Sequence, residues 1–410
     1  MPSAEELAFL ARIRDEPDDD GPRLIFADWL DERGDPRGEF IRLQCALARL
    51  PADDPRREDL RHREQAILQN HQAVWTASLQ GLAAGYEFRR GLLQAVSVDA
   101  RAFLERGQEL FRLGPIRRVR FLEASKCFAA LMESPLLSRI RELDLCSCLL
   151  GNGGLVMLAR ARQLAHLEVL DLGFNDLTDQ GLKSLADAAH LENLRALSLN
   201  DNRQIGTPGM RALADSPHLA NLRTLDLSGN GLTETALKVL INGESLKQLD
   251  AIALQGNRIG DGGVEALARS ELLRRVLNRS KFLKLSDNNI GPLGARALAE
   301  SPSLRTVEIL DLDTNSIGDA GMASLAHSPH LENLKRLLVR ENRIGDAGVR
   351  ALARSGLPRT LTFLDLTGNF VTSDSIRELD EATTAIDWRK KIEIRTDPGL
   401  HLRAVRPGVG

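Results

Sequence analysis

Eight asparagines, Asn175, Asn202, Asn230, Asn257, Asn288, Asn315, Asn342 and Asn369, follow one another at separations of 27, 28, 27, 31, 27, 27 and 27 residues. Cys148 stands 27 residues ahead of the first. Around them one phrase keeps returning: "LEVLDLGFNDLTDQGLKSLA", "LRTLDLSGNGLTETALKVL", "VEILDLDTNSIGDAGMASLA", "LKRLLVRENRIGDAGVRALA", "LTFLDLTGNFVTSDSIREL". A repeat of this length cannot bury its own apolar face, so stacking must supply the core, and the chain is read as a solenoid.

Each position of the phrase has a physical role. Leu222, Leu225 and Leu227 are spaced L-x-x-L-x-L, and the last pair has the two-residue period of a strand with one face inward. Asn230 follows where the chain must turn, and its amide carries both donors and acceptors for buried backbone groups. Stacked, these amides are expected to form a ladder, with Cys148 filling the same slot as a small buried residue. In "IGDAG" the glycine suits a tight bend and the Asp suits capping the helix that follows. "GVRALA" then has helical spacing, with Val349 and Leu352 inward. Three departures occur: Gln204 is an extra residue, Ser280 replaces a leucine, and "ELLRRVLNRS" carries an insertion that predicts an irregularity over 271–280.

Over residues 116–380 this pattern resembles the leucine-rich repeat, in its ribonuclease-inhibitor-like subtype with a full helix on the convex side. The resemblance implies an α/β solenoid, a horseshoe of parallel concave strands and convex helices, with nine repeats over 136–380. Raw ends of a solenoid need caps. Residues 81–135 read as the N-terminal cap and an atypical first repeat: strand Leu92–Val98, helix Ala100–Leu113, then Ile116, Val119 and Phe121 on a degenerate strand. Residues 381–410 read as a C-terminal cap with an extended segment and a tail.

Upstream, residues 1–80 read as a small all-α domain. Ser3 and Glu6 form a capping box, Pro22 opens a second helix and Gly34 lies past its end. Leu24, Phe26, Ala27 and Leu30 are its inward candidates, with Asp28, Asp31, Glu32 and Arg33 outward. "DDDGPRLIFADWLDERGDPRGEFIRLQ" resembles the short repeat-companion domain of planctomycete-type bacteria, which precedes leucine-rich and other repeats. That resemblance implies a bacterial lineage and a domain layout, and no reaction. The charged cluster is either scaffolding or an epitope. The solenoid is expected to fold in a chain that starts near Gly81.

The net charge of −3 offers no bulk attraction to nucleic acid or anionic membrane. No apolar run approaches the ~18 residues of a membrane span, and the N-terminus has no secretory pattern. Cys45, Cys127, Cys146 and Cys148 make no disulfide framework, which suits reduced thiols in a cytoplasm. No phosphate loop, nucleophile elbow or H-E-x-x-H helix occurs. Cys146 and Cys148 form C-x-C without the second pair a structural zinc requires. The expectation is a non-enzyme with no cofactor, no metal and no small-molecule substrate.

The residue between the second and third leucines points out of the concave sheet. Down the repeats it reads Asp144, Asp171, Ser198, Asp226, Ala253, Lys284, Asp311, Leu338, Asp365. The aspartates are either a lure for a basic partner or plain repeat consensus. Val169, Phe174, Phe282, Ile309 and Phe363 are exposed-looking apolar residues beside them, and aromatic anchors dominate interface energies. Lys335, Arg336 and Arg340 mix the sign of the face, which argues against nucleic acid. The candidate concave site is thus Asp144, Asp171, Phe174, Asp226, Phe282, Lys284, Asp311, Arg336, Arg340 and Phe363, binding a protein partner. The alternative is an enzyme regulator similar to the Ran GTPase-activating proteins, which share the repeat subtype, although no loop is singled out for it. Hydrolysis in the head by Asp28, Asp31 or Glu39 lacks any nucleophile–base pair.

Overall fold

Four helices open the chain: α1 (Ala4–Asp15), α2 (Gly21–Asp31), α3 (Arg37–Arg49) and α4 (Arg56–Trp75). They belong to a computed structural model that describes residues 3–51, 53–386 and 392–397. The chain divides into two units, Met1–Leu150 with Met157–Leu172, and Gly151–Val156 with Gly173–Gly410.

In the first unit, the Ser3 hydroxyl accepts the Glu6 N–H at 3.1 Å and the Glu6 carboxylate accepts the Ser3 N–H at 2.7 Å, closing the capping box of α1. Leu10, Ile13, Phe26, Ala27, Leu30, Ile41 and Cys45 make one buried cluster, with Phe9 and Trp29 against it. Leu24 is only half-buried, and Arg23 is the side chain that goes inside at 1% exposure, its guanidinium donating to Asp19 O at 2.8 Å. Helix α4 buries no residue and is held to α3 through Arg57 on the carbonyls of Leu47 and Leu50 and by Gln44 on Glu64.

Next comes a hairpin, β1 (Gly85–Arg89) and β2 (Leu92–Asp99), joined by Arg90 and Gly91 at φ 49° and 80°. Both turn residues are left-handed, as a type I′ hairpin turn requires. A Cβ on Gly91 would lie 2.3 Å from Ile41 Cα, so the turn is pressed onto α3. Gln44 Oε1 accepts the Gly91 N–H at 2.6 Å, and Leu92 enters the head's own core cluster. The four helices therefore share their core with β2. Then follow α5 (Ala100–Leu113), capped by Asp99, β3 (Arg118–Leu122), α6 (Phe128–Glu133), β4 (Glu142–Asp144), α7 (Gly151–Leu158), divided between the units, and β5 (Val169–Asp171). Strands β2 to β5 are parallel, and Ile116, Val119 and Phe121 are buried. Cys148 is buried with its Sγ 3.4 Å from Phe121 O.

The second unit alternates helix and strand. Its elements are α8 (Asp179–Ala186), β6 (Ala196–Ser198), α9 (Thr207–Asp215), β7 (Thr224–Asp226), α10 (Glu234–Ile241), β8 (Ala251–Ala253), α11 (Gly260–Ala268), α12 (Glu271–Arg279) and β9 (Phe282–Lys284). They continue as α13 (Pro292–Ala299), β10 (Ile309–Asp311), α14 (Gly318–Ala326), β11 (Arg336–Leu338), α15 (Asp346–Ala353), β12 (Phe363–Asp365), α16 (Ser373–Ile386) and β13 (Glu393–Arg395). Strands β6 to β8 form one parallel ladder and β9 to β13 another. The irregularity over 271–280 is helix α12, which buries Leu272, Leu273, Val276 and Leu277 where other repeats have a short turn such as Pro217–Leu219 or Pro302–Thr306. The ladder is interrupted at this insertion, between β8 and β9. Of the C-terminal cap and tail, residues 387–391 and 398–410 lie outside the described residues, and β13 pairs with β12.

Asparagines 175 to 369 of the repeat are all buried. Asn315 shows the pattern: its Nδ2 donates to Leu285 O (3.0 Å) and Leu312 O (2.9 Å), and its Oδ1 accepts from Asn288 N (3.0 Å) and Ile290 N (2.9 Å). The helix-capping aspartates behave differently from the expectation. Asp179 accepts from Gly206 and Gly209, Asp261 from Gly291 and Gly294, and Asp319 from Gly345 and Gly348, at 2.6–2.9 Å. Each carboxylate caps the helix of the next repeat, because its own helix points it across the stack at the neighbour's free N–H groups.

Candidate functional site

Strand register sets the inner face of the second unit. Phe282, Ile309, Arg336 and Phe363 stand side by side on β9 to β12, and Lys284, Asp311, Leu338 and Asp365 form the parallel row. The leucines between the two rows, Leu283, Leu310, Leu337 and Leu364, are buried, so the rows point away from the core. Phe282 is 50% exposed and Ile309 beside it is half-buried. Phe363, read as exposed, is buried at 6%, because the guanidinium groups of Arg336 and Arg395 lie over its ring at 4.5 and 4.8 Å.

Phe174 is not on a strand. It precedes the ladder residue Asn175 at φ 54° with half its surface exposed. In the following repeats this position also has positive φ and holds Asp201, Gly229, Gly256, Asp287, Thr314, Glu341 and Gly368. A bulky ring in the left-handed region costs about 1 kcal/mol, and only half of the Phe174 surface is buried in return.

The carboxylates of this face are occupied by their own turns. Asp226 accepts Ser228 N (2.9 Å) and the Ser228 hydroxyl, Asp311 accepts Asp313 N (3.1 Å), and Asp365 accepts Thr367 N (3.1 Å) and the Thr367 hydroxyl (2.6 Å). These are Asx turns, in which the side chain holds the backbone two residues on. Asp313 accepts Arg340 N at 2.8 Å, and burial together with the nearby Asp311 and Asp365 pushes its carboxyl up to about 6. The bases are differently placed. Lys284 is exposed and, among the described residues, has no hydrogen-bond or ion-pair partner. Among the described residues the Arg340 guanidinium reaches Glu341, at 3.3 Å, while Lys335 is tied to Glu308 at 2.7 Å.

Seven segments, residues 163–186, 190–214, 218–240, 246–268, 281–299, 303–326 and 330–353, match the family model described as Leucine Rich repeat. These units are leucine-rich repeats. Among solved structures, an internalin (inlF) from Listeria monocytogenes str. 4b F2365 is similar, with 14% identity and a TM-score of 0.39 over 75% of this chain and 91% of that one. The yeast Rad7 and Elc1 complex aligns with 15% identity and a TM-score of 0.38 over 93% of this chain and 91% of that chain. No curated protein matches the sequence.

In the first unit, the Asp144 carboxylate, read as solvated, is buried at 7%; Arg118 and Arg120 lie 3.8 and 3.9 Å from it, and it accepts Cys146 N at 3.0 Å. Asp171 on β5 is half-buried. In the head, Arg42 bridges Asp28 and Asp31, Arg63 holds Glu39 at 2.6 Å, and Arg37 ties Asp35 to Glu6 at 2.6 and 2.8 Å. The charged cluster is knitted internally, and each carboxylate suggested for hydrolysis faces an arginine. A cavity of about 570 Å³ opens beside it, lined by Arg37, His71, Trp75 and Phe88 among others. Sequence reasoning missed the Asx turns of the leucine-rich repeats, although Asp226-x-Ser228 and Asp365-x-Thr367 carry the signal. It also singled out neither Asp313 nor the lack of a partner for Lys284.

Proposed function

We propose that this chain is a non-catalytic scaffold that binds a protein partner on the concave face of its leucine-rich repeats. The observation that carries this reading is Phe282: a ring half exposed on a strand position, beside Ile309 and the unpaired Lys284, in a face whose leucines are committed to the core. At ~4.8 Å between strands, a run of repeats is wide enough for a standard footprint of about 800 Å² per partner. Mixed signs along the face suit a protein better than nucleic acid. Complete helices in the repeats support the ribonuclease-inhibitor-like subtype, and the four-helix head supports the bacterial repeat-companion layout. Four free thiols suit a reducing cytoplasm.

The test is affinity capture from the native host with the full chain and with Phe282→Ala and Arg340→Glu, read by quantitative mass spectrometry beside melting temperature. The concave reading requires one and the same captured protein to be lost from both variants at unchanged melting temperature. Retention by both, with loss on Val74→Asp in α4, would move the site to the head. A GTPase as the captured protein would favour the regulator.

A further inference from the structure

We infer that the inner face over β9 to β11 takes an acidic peptide segment of another protein, with an apolar side chain set against Phe282. This deepens the concave-face reading and rests on it. Formal charge along the face is mixed, and a count of aspartates would favour a basic partner. Hydrogen bonding weakens that count. Asp226, Asp311, Asp313 and Asp365 each accept a backbone N–H, and two of them accept a hydroxyl as well. Those bonds occupy Oδ1 of each carboxylate and leave a basic partner only Oδ2.

The positive groups face outward with little to hold. Lys284 has no partner among the described residues, Arg340 has one contact at 3.3 Å, and Arg336 lies on the Phe363 ring. Phe282 and Ile309 form an apolar ledge beside Lys284, and on β8 the outward positions are only Ala251 and Ala253. An ammonium next to an exposed ring and small neighbours matches a carboxylate flanked by an apolar residue. Nucleic acid fits less well, because Asp311, Asp313 and Glu341 interrupt the basic groups and no continuous track forms.

The test uses the full chain, immobilised, and a random peptide display library. Enriched peptides are then synthesised and their affinities measured by fluorescence anisotropy. The expected result is enrichment of Asp or Glu within two positions of an aromatic or branched aliphatic residue. Lys284→Glu should weaken binding by roughly tenfold or more, one decade in Kd being a single ordinary polar contact. Lys284→Gln should weaken it less, and added salt should weaken the wild type. Arg269→Glu, the same charge reversal on the helical side, should leave it unchanged. Enrichment of basic peptides, or acidic peptides indifferent to Lys284→Glu, overturns the inference. If Phe282→Ala still abolishes such binding, the concave reading survives that outcome. Indifference to both substitutions, or no enrichment at all, sinks both. Tighter binding of a single-stranded oligonucleotide, competing with the peptides, would also overturn it.

Discussion

Asn315 bonds three carbonyls through one nitrogen and two amides through one oxygen, all but the Asp313 carbonyl contact fully buried. Asn315→Ala strands those groups, and we expect a loss on the order of 1–3 kcal/mol in urea denaturation; wild-type stability would refute the ladder. The aspartate–glycine pairs allow a sharper measurement. A Cβ on Gly209 would stand 2.6 Å from the Asp179 oxygen, so Gly209→Ala must displace the cap. A lost cap costs about 1 kcal/mol. In the background of Asp179→Ala the same change should be neutral or slightly stabilising, since alanine suits a helix better than glycine. Additive losses in the double-mutant cycle would contradict this geometry. Asp313 titrates near 6, above its ordinary 3.8, with Asp311, Asp365 and Arg340 around it. Between those values the folded state holds a proton that the unfolded chain has released, so stability falls as pH rises through the window. Asp313→Asn should therefore raise the melting temperature more at pH about 7 than at pH about 5, and an equal shift at both would count against it. The outward direction of strand residues was legible in the two-residue period. The burial of Phe363 was not, because it depends on Arg336 and on Arg395 of the non-repetitive β13.

Helices and strands with clean periods, such as α5 and β2, were readable because their apolar spacing decides their fate locally. β1 was not: "GYEFR" is short, and its turn places Arg90 where asparagine or aspartate is usual. The insertion was legible as surplus length but not as helix α12, whose burial depends on neighbours beyond its own repeat. The hairpin turn also carries a prediction. Gly91 is left-handed and has no room for a side chain over Ile41. Gly91→Ala should cost at least about 1–3 kcal/mol, and a chain beginning at Gly81 should lose cooperative unfolding of the first unit. A soluble, cooperatively melting truncation would show that the shared core around Leu92 is dispensable.

At the scale of the whole chain, stability in a stacked array is a sum over neighbouring interfaces. Within the second unit the β8–β9 joint has no strand ladder, and among the described residues the Asn288 Oδ1 has no hydrogen-bond partner. The amides of Asn257 and Ile259 should exchange with deuterium faster than those of Asn288 and Ile290, which the next asparagine's Oδ1 accepts. Equal protection would mean that helix packing compensates fully. Repetition made the solenoid legible; recognition was far less so, because it resides in positions the repeat leaves free, and whether a charge there is engaged depends on the turn around it.

The capping carboxylates also give the array a direction. Each one is written in one repeat and read by the next, so a unit excised with its own aspartate is severed from the glycine that answers it. Natural splice points follow. Thr207 and Pro292 occupy the aspartate position without a carboxylate, Glu234 there holds Lys238 instead, and among the described residues no such bond crosses the joint after any of the three. Shuffling, duplication or grafting of repeats should be tolerated best at those three seams.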